Sequence, residues 1–149
     1  MNTPSRLVFE NTAKTARITQ YPEYHCFEIA LTGTIDPEDY KTAFTTYLDV
    51  LVENHCCRTV FNNHDLVSDT LASRAWFLAN YLPQAKNQLQ AEHYRVAVVM
   101  PTNRFQRMTV ELVAKGAKVV GTNADITLHD STEAALEWMG SLVDSPSHN

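Results

Sequence analysis

The chain has 149 residues, enough for one domain with a sizeable core, and it is 44% hydrophobic and 19% charged. This composition excludes a disordered chain, a collagen and a small disulfide-stapled scaffold. Twelve basic and seventeen acidic residues give a net charge of −5. That charge argues against general nucleic-acid binding, which needs an excess of Lys and Arg to neutralise phosphates.

The cysteines and the termini indicate a reduced, cytoplasmic protein. The three cysteines are Cys26, Cys56 and Cys57, an odd number with no C-x-x-C spacing, so we expect free thiols, no metal and no cofactor. We find no signal-peptide pattern and no apolar window long enough to span a membrane. We therefore expect a cytoplasmic single domain over residues 1–149, with its core at about 6–143 and a fraying tail at 144–149.

Three strands and a helix are predicted first. Short strands are expected at residues 7–10 and 16–20. A third strand alternates Phe27, Ile29 and Leu31 with Glu28, Ala30 and Thr32, which indicates one buried face. Asp36 suits a helix N-cap and Pro37 the first helical position. The helix that follows places one apolar stripe inward: Tyr40, Ala43, Phe44, Tyr47, Leu48, Leu51 and Val52.

The second half alternates strands with helices. A buried strand at 57–63 should lead into a turn at Asn62, Asn63, His64 and Asp65, and a continuous apolar run at 95–100 suits a central strand. A last strand is expected at 126–128, and capping-box spacing from Asp130 to Glu133 opens a final helix. Because alternating strands and helices require crossovers, we predict an α/β domain with a mixed, mostly parallel sheet of five or six strands and about four helices.

The two helices between those strands have predicted inward faces. The second helix carries Pro83, where we expect a kink or break. Its inward stripe is Leu71, Ala75, Leu78, Leu82, Ala85 and Leu89. The third helix starts after Pro101, Thr102 and Asn103, with Phe105, Met108, Leu112 and Val113 inward.

The chain resembles the STAS-like family, the small α/β domains related to sporulation anti-anti-sigma factors, and within it a bacterial branch described jointly with the CRAL-TRIO lipid carriers. The resemblance covers about residues 26–142. It is carried by the segments 33–40, 59–61, 76–83, 98–101 with Phe105, and 133–138. It implies a STAS-like fold and a regulatory or ligand-sensing module without enzymatic activity.

One segment departs from the family pattern. Anti-anti-sigma members carry a phosphorylated Ser in an Asp-Ser-x-Gly segment that opens a helix. Here the corresponding residues 66–73 hold no such motif, and the nearest hydroxyls are Ser68 and Thr70. The resemblance therefore does not carry the phosphorylation switch over to this chain.

Two sets of polar residues are candidate ligand sites. The strand ends feed Asn62, Asn63, His64 and Asp65 on one side and Thr102, Asn103 and Arg104 on the other, and ligands often bind outside such ends. The third helix also aligns Arg104, Arg107, Lys115 and Lys118, an anion or acidic-partner site if they act together. The ordinary explanations are turn residues in the first case and a solvated helix face in the second.

Trp76 lies roughly 140° away from the predicted stripe of the second helix, on a wheel of 100° per residue, while Phe77 and Tyr81 flank that stripe. Aromatic residues around a whole helix indicate contacts with more than one surface: a second subunit, a ligand pocket or ordinary packing. We expect a homodimer contact at Trp76.

Enzyme motifs are missing from the sequence: it has no G-x-S-x-G, no P-loop and no G-x-G-x-x-G. The leading hypothesis is therefore a non-enzymatic module that binds a protein or a small ligand. The alternative is a carrier or sensor of a lipid-like or other apolar anion, with Phe77, Tyr81, Phe105 and Met108 as walls and Arg104 or Arg107 at the head group. A small enzyme using His64 and Asp65 is the third class.

Overall fold

Strands and helices alternate along the chain, and the computed structural model describes residues 4–89, 94–119 and 124–141, with no side-chain description at 118, 119 and 124. The elements are β1 (Arg6–Glu10), β2 (Ala16–Tyr21), a 3-10 turn (Pro22–Tyr24), β3 (Cys26–Thr34), α1 (Pro37–Glu53), β4 (Arg58–Ser68), α2 (Leu71–Trp76), a π-helical turn (Phe77–Tyr81), α3 (Leu82–Leu89), β5 (Tyr94–Val99), α4 (Arg104–Val119), β6 (Ala124–His129) and α5 (Thr132–Ser141).

The six strands form one sheet whose spatial order follows the chain, β1-β2-β3-β4-β5-β6. The two pairings among β1, β2 and β3 are antiparallel, and the three pairings from β3 to β6 are parallel. Successive crossovers put α1, α2–α3 and α4 on one face of the sheet, while α5 covers the other. The α2–α3 segment counts as one continuous helix, so the predicted α/β class, mixed sheet and four helices are confirmed.

Helix α1 follows its sequence pattern closely. The side chain of Asp36 accepts a hydrogen bond from the Asp39 backbone N–H, and Pro37 opens the helix. The predicted stripe is buried except for Val52, which packs partly against the core. The Tyr47 hydroxyl crosses to the sheet and donates to the Phe27 carbonyl at 2.6 Å.

Strand β3 is buried on both faces, so the prediction of one buried face is wrong. Glu28, on the face expected to be open, is only 3% exposed. Asn62 donates to its carboxylate at 2.8 Å and to the Thr132 hydroxyl at 3.1 Å, which ties α5 to the sheet. The helix α5 supplies the cover that the strand pattern could not reveal.

The predicted turn at residues 62–65 is also wrong, because β4 runs without a break to Ser68. Its pairing with β5 ends at Asn62, but its pairing with β3 continues to Ser68 opposite Thr34. Two register shifts in that pairing accommodate the extra residues, and Gly33, with φ 71°, lies at the second.

Pro83 does not break its helix, and the widened turn just before it changes which residues face inward. The Leu82 N–H bonds to the Phe77 carbonyl, five residues back, which opens the backbone ahead of the proline ring. The inserted residue rotates the face, so the first half buries Ser73, Phe77 and Tyr81. Of the predicted stripe, Leu82 and Ala85 are buried, Leu78 and Leu89 are partly buried, and Leu71 and Ala75 are exposed.

Helix α4 presents the opposite face from the one predicted. Its inward residues are Gln106, Val110, Val113 and Ala117, so only Val113 of the predicted set packs inward. Phe105, Met108 and Leu112 are exposed. Gly116, beside the inner stripe, lies close to the second helix: a Cβ there would meet Leu78 Cδ1 at 3.3 Å.

The described residues share one sheet, but the predicted limits of the domain core stay a prediction. The tail at 144–149 lies outside the described residues. Among the helices described, none combines the length and apolar character needed to cross a bilayer.

Candidate functional site

Helix α4 packs beside the π-helical turn that continues α2, and α2 and α4 run in the same direction because both connect parallel strands. A Cβ at Gly116 would meet Leu78 Cδ1 at 3.3 Å, so α4 approaches the π turn closely at this point. This pair of helices carries both candidate features of the molecule, one on its outer surface and one beneath it.

The outer feature is a ridge of three apolar side chains on α4, which we call the α4 ridge. Phe105, Met108 and Leu112 are 64%, 57% and 62% exposed. Their spacing aligns them along one side of the helix. Contiguous exposed apolar groups of this size mark interaction surfaces more often than scattered single ones do.

Basic side chains flank the α4 ridge. On a wheel of 100° per residue, Arg104 and Lys115 lie roughly 50–70° from its centre, on the side away from α2. Both are exposed, whereas Arg107 pairs with Asp130 at 3.0 Å and donates to the Pro101 carbonyl. Residues 103–118 carry four bases and one acid in a chain of net charge −5. Of the predicted basic stripe, Arg104 and Lys115 are exposed, Arg107 is paired with Asp130, and Lys118 lies outside the described side chains. Its role as an anion or acidic-partner site stays a prediction.

The inner feature is a cavity of about 70 Å³ between α2, α4 and the sheet. Its walls are mainly apolar, and the polar residues that line it are Asn63, Asp69 and Arg74, together with Tyr40 and Tyr94. Small-molecule sites usually span about 300–1,000 Å³. The cavity is therefore several-fold too small for the lipid-like cargo of the carrier hypothesis, which the geometry does not support.

An ion pair closes one side of this cavity. The Arg74 Nε–H donates to Asp69 Oδ1 at 3.0 Å, and the two side chains are 17% and 7% exposed. Burial raises the pKa of the Asp69 carboxyl, while the Arg74 guanidinium lowers it. The pair holds one positive and one negative charge in a mainly apolar environment.

The predicted strand-end residues do not form one cluster. Asn62 points to the α5 side, where it bonds to Glu28 and Thr132, while Asn63 lines the cavity on the opposite face. His64 Nδ1 lies 3.1 Å from Asp65 Oδ1, and both residues are exposed. Strand alternation sends Asn62 and Asn63 to opposite sides, because the segment is extended rather than turned.

On the β5 side, Asn103 serves as a helix cap. Its Oδ1 accepts from the Gln106 N–H at 3.0 Å. Thr102 and Arg104 are exposed. Neither is drawn into the cavity, so a ligand role for these residues stays a prediction.

The aromatic residues of the second helix belong mostly to the core. Phe77 and Tyr81 are buried and stack with ring centroids 5.1 Å apart, although Phe77 also lines the cavity. Trp76 is half-buried and meets Tyr40 edge-on at 6.4 Å. Part of its surface is thus used within the chain, and its predicted dimer contact remains untested.

The two hydroxyls considered for phosphorylation have structural partners. The Thr70 hydroxyl caps α2, accepting from the Ser73 N–H at 3.0 Å. The Ser68 hydroxyl lies 3.3 Å from that of Thr34 at the end of β4.

A second groove, of about 520 Å³, lies at the opposite end of the sheet and contains all three cysteines. Burial raises the pKa of Cys26 to about 12 and also raises the pKa values of Cys56 and Cys57. These thiols are protonated near neutral pH, which makes them poor nucleophiles and metal ligands. Within the described ranges, no three His, Cys, Asp or Glu side chains are grouped to hold a metal.

Comparison with known proteins establishes the fold. An uncharacterised protein of the DUF3478 family from Shewanella loihica PV-4, with a SpoIIAA-like fold, aligns with a TM-score of 0.53 at 14% identity, over 93% of this chain and 98% of its own. An anti-sigma factor antagonist from Mycobacterium paratuberculosis aligns with a TM-score of 0.53 at 13% identity, with the same coverage. The chain therefore has a SpoIIAA-like fold of the STAS-like type, as the resemblance implied.

Sequence comparison adds no closer relative. No protein-family model matches the chain, and no curated protein matches it. At these identities the structural likeness establishes the fold alone, so function has to be argued from this chain's own surfaces.

Sequence reasoning missed the Asp69–Arg74 pair and the buried Glu28. Asp69 and Arg74 lie in the mostly polar segment 68–74, whose composition is typical of a helix start. Glu28 alternated with apolar residues in the manner of a surface carboxylate. The sequence did contain a signal for the exposed surface of α4, which is the cluster of apolar residues on that helix. Because only one apolar stripe was considered, that cluster was assigned to the core.

Proposed function

We propose that the chain is a non-enzymatic, STAS-like regulatory module that binds a partner protein through the α4 ridge. The observation that carries this proposal is the exposure of Phe105, Met108 and Leu112 on a helix whose other face is already packed. Burying such side chains in a partner is favourable, at roughly 1.5–3 kcal/mol for each one fully covered. The likeness to an anti-sigma factor antagonist supports a regulatory role that acts on a protein.

The occupant we propose is an acidic segment with apolar side chains on a different protein. Arg104 and Lys115 flank the ridge, so a partner with carboxylates beside its apolar residues would be complementary. A second copy paired ridge to ridge would bring these same cations together. The proposal also retains the cytoplasmic location expected from the sequence.

A photo-cross-linking amino acid at position 105, compared with one at Leu7, tests the proposal in the native host cell. Leu7 is the matched control because it is 54% exposed and lies on β1, at the far edge of the sheet. We expect one protein to be trapped at position 105 and not at position 7. The trapped protein is then purified, and its affinity is measured for the wild type, Phe105→Ser and Leu7→Ser.

We expect Phe105→Ser to weaken binding roughly tenfold to a hundredfold, which corresponds to one buried phenylalanine side chain. Leu7→Ser should change it less than about twofold. The proposal is wrong if the two positions trap the same proteins, or if Phe105→Ser leaves the affinity unchanged. It is also wrong if the residue at position 105 cross-links only to lipid or to a second copy of the chain.

A further inference from the structure

The cavity beneath the ridge is mainly apolar, and its charged and amide side chains, Asn63, Asp69 and Arg74, are called its polar wall here. Its volume is about 70 Å³, and six of its apolar side chains come from β4, β5, α4 and the π turn: Leu66, Phe77, Val98, Val110, Val113 and Ala114. A space this large holds about five water-sized groups. Water gains little there, because most of the lining offers it no hydrogen bond.

The polar wall has hydrogen-bonding capacity left over. Asp69 accepts a hydrogen bond from the Nε–H of Arg74. Among the residues the structure describes, the four other N–H groups of that guanidinium and the side-chain amide of Asn63 have no protein partner. Both side chains line the cavity, so hydrogen-bond donors are present in a mainly apolar space.

The charge of this wall is balanced, since Asp69 and Arg74 form an ion pair that is mostly buried. A ligand carboxylate would add a second negative charge beside Asp69 in a mainly apolar cavity, which is costly. An uncharged head group adds none. It can accept from Arg74 or Asn63 and, if it is a hydroxyl or amide, also donate to Asp69.

We propose that this cavity is a binding site for a small uncharged molecule with a short apolar body and one hydrogen-bonding head, of the size of a four- or five-carbon alcohol or amide. The apolar body lies against Val110, Val113 and Phe77, and the head meets Arg74 and Asn63. This site is separate from the partner surface proposed above. The ligand class differs from a lipid-like anion in both size and charge.

The test uses 1-butanol, butyramide and butyrate as probes, with methyl NMR of the valine and leucine side chains. We expect saturable changes in methyl chemical shift with millimolar 1-butanol and butyramide. These changes should be confined to methyl groups around the cavity, such as those of Val110 and Val113. Butyrate should bind at least tenfold more weakly. Butyrate binding as tight as that of butanol would overturn the neutral-ligand assignment, and shifts spread evenly over the protein or absent would overturn the site.

Two variants give an independent readout. Ala114→Leu fills the cavity from α4 and should abolish the butanol shifts while leaving the melting temperature equal or higher. Ala134→Leu on α5, equally half-buried but on the other face of the sheet, is the matched control and should keep them. Unchanged butanol binding in folded Ala114→Leu would refute the site. If Ala114→Leu does not fold, the wild-type comparison of the three probes still decides.

Discussion

Glu28 is a carboxyl group held inside the molecule, on the face of the sheet that α5 covers. Burial raises its pKa above the ordinary 4.5, while hydrogen bonds from Asn62 and Tyr21 oppose that shift. The folded state therefore binds more protons than the unfolded state between 4.5 and the raised value. Across that window the free energy of unfolding falls as pH rises, and above it this contribution is constant.

Glu28→Gln should remove this pH dependence, because glutamine keeps an acceptor for Asn62 and carries no charge. We expect the variant to match or exceed the wild type in unfolding free energy near neutral pH, and to lose that advantage near pH 4.5. Urea denaturation over this pH range measures it. Glu137→Gln, exposed on α5, should keep the wild-type slope, and an unchanged slope in Glu28→Gln would show that Glu28 is not its source.

The π turn at Phe77–Tyr81 contains one residue more than a regular helical turn, and deletion of that residue can be tested. Its extra residue keeps Ser73 and Phe77 in phase with Leu82 and Ala85 on the buried face. Deletion of exposed Asn80 should therefore leave a regular helix with the same residues inward. Because Pro83 would then lie inside a regular helix, we expect the deletion variant to fold at a cost of about 3 kcal/mol or more.

Deletion of Thr45, exposed in the middle of the regular helix α1, is the control. It rotates half of the buried stripe by about 100° and should prevent folding. Circular dichroism and urea denaturation compare the two variants. Equal loss of structure in both would show that the π turn does not act as a tolerated insertion.

At the scale of the whole molecule, self-association and partner binding should use different surfaces. The homodimer expected from the sequence involves Trp76, whereas the α4 ridge is flanked by like charges that oppose self-pairing. Sedimentation equilibrium at tens of micromolar should show a dimer that Trp76→Ala weakens and Phe105→Ser does not. If the wild type is monomeric, the prediction of a dimer is wrong. If Phe105→Ser abolishes the dimer, the α4 ridge binds a second copy of the chain.

The sequence predicted a helix and its buried face well where only one apolar stripe was present, and poorly where two stripes were present. Helix α1 has one cap and one apolar stripe, so its position and its face were both predictable. Helix α4 has two stripes, one of large and one of small side chains. The choice between them depends on the approach of Gly116 to Leu78, which is a tertiary contact and leaves no local signal.

The same reason explains the candidate site. Residues 62–65 consist of Asn, His and Asp, which favour turns, but pairing with β3 keeps them extended. Arg74 and Asp69 become notable only once burial is known. The class of fold was therefore predictable from alternation and capping, while the surfaces available for binding required the packing of α2 against α4.

The order of the strands determines whether the sheet forms a binding crevice at its strand ends. In open α/β sheets, a crevice forms at the strand edge where neighbouring connections leave in opposite directions, because the helices there diverge to opposite faces. Here β3, β4, β5 and β6 follow one another without reversal, and α1, α2 and α4 all return over the same face. Among the described strands, this topology has no switch point between parallel neighbours. The recognition proposed for this molecule therefore uses the surfaces of the helices and the seam between them rather than a crevice at the strand ends.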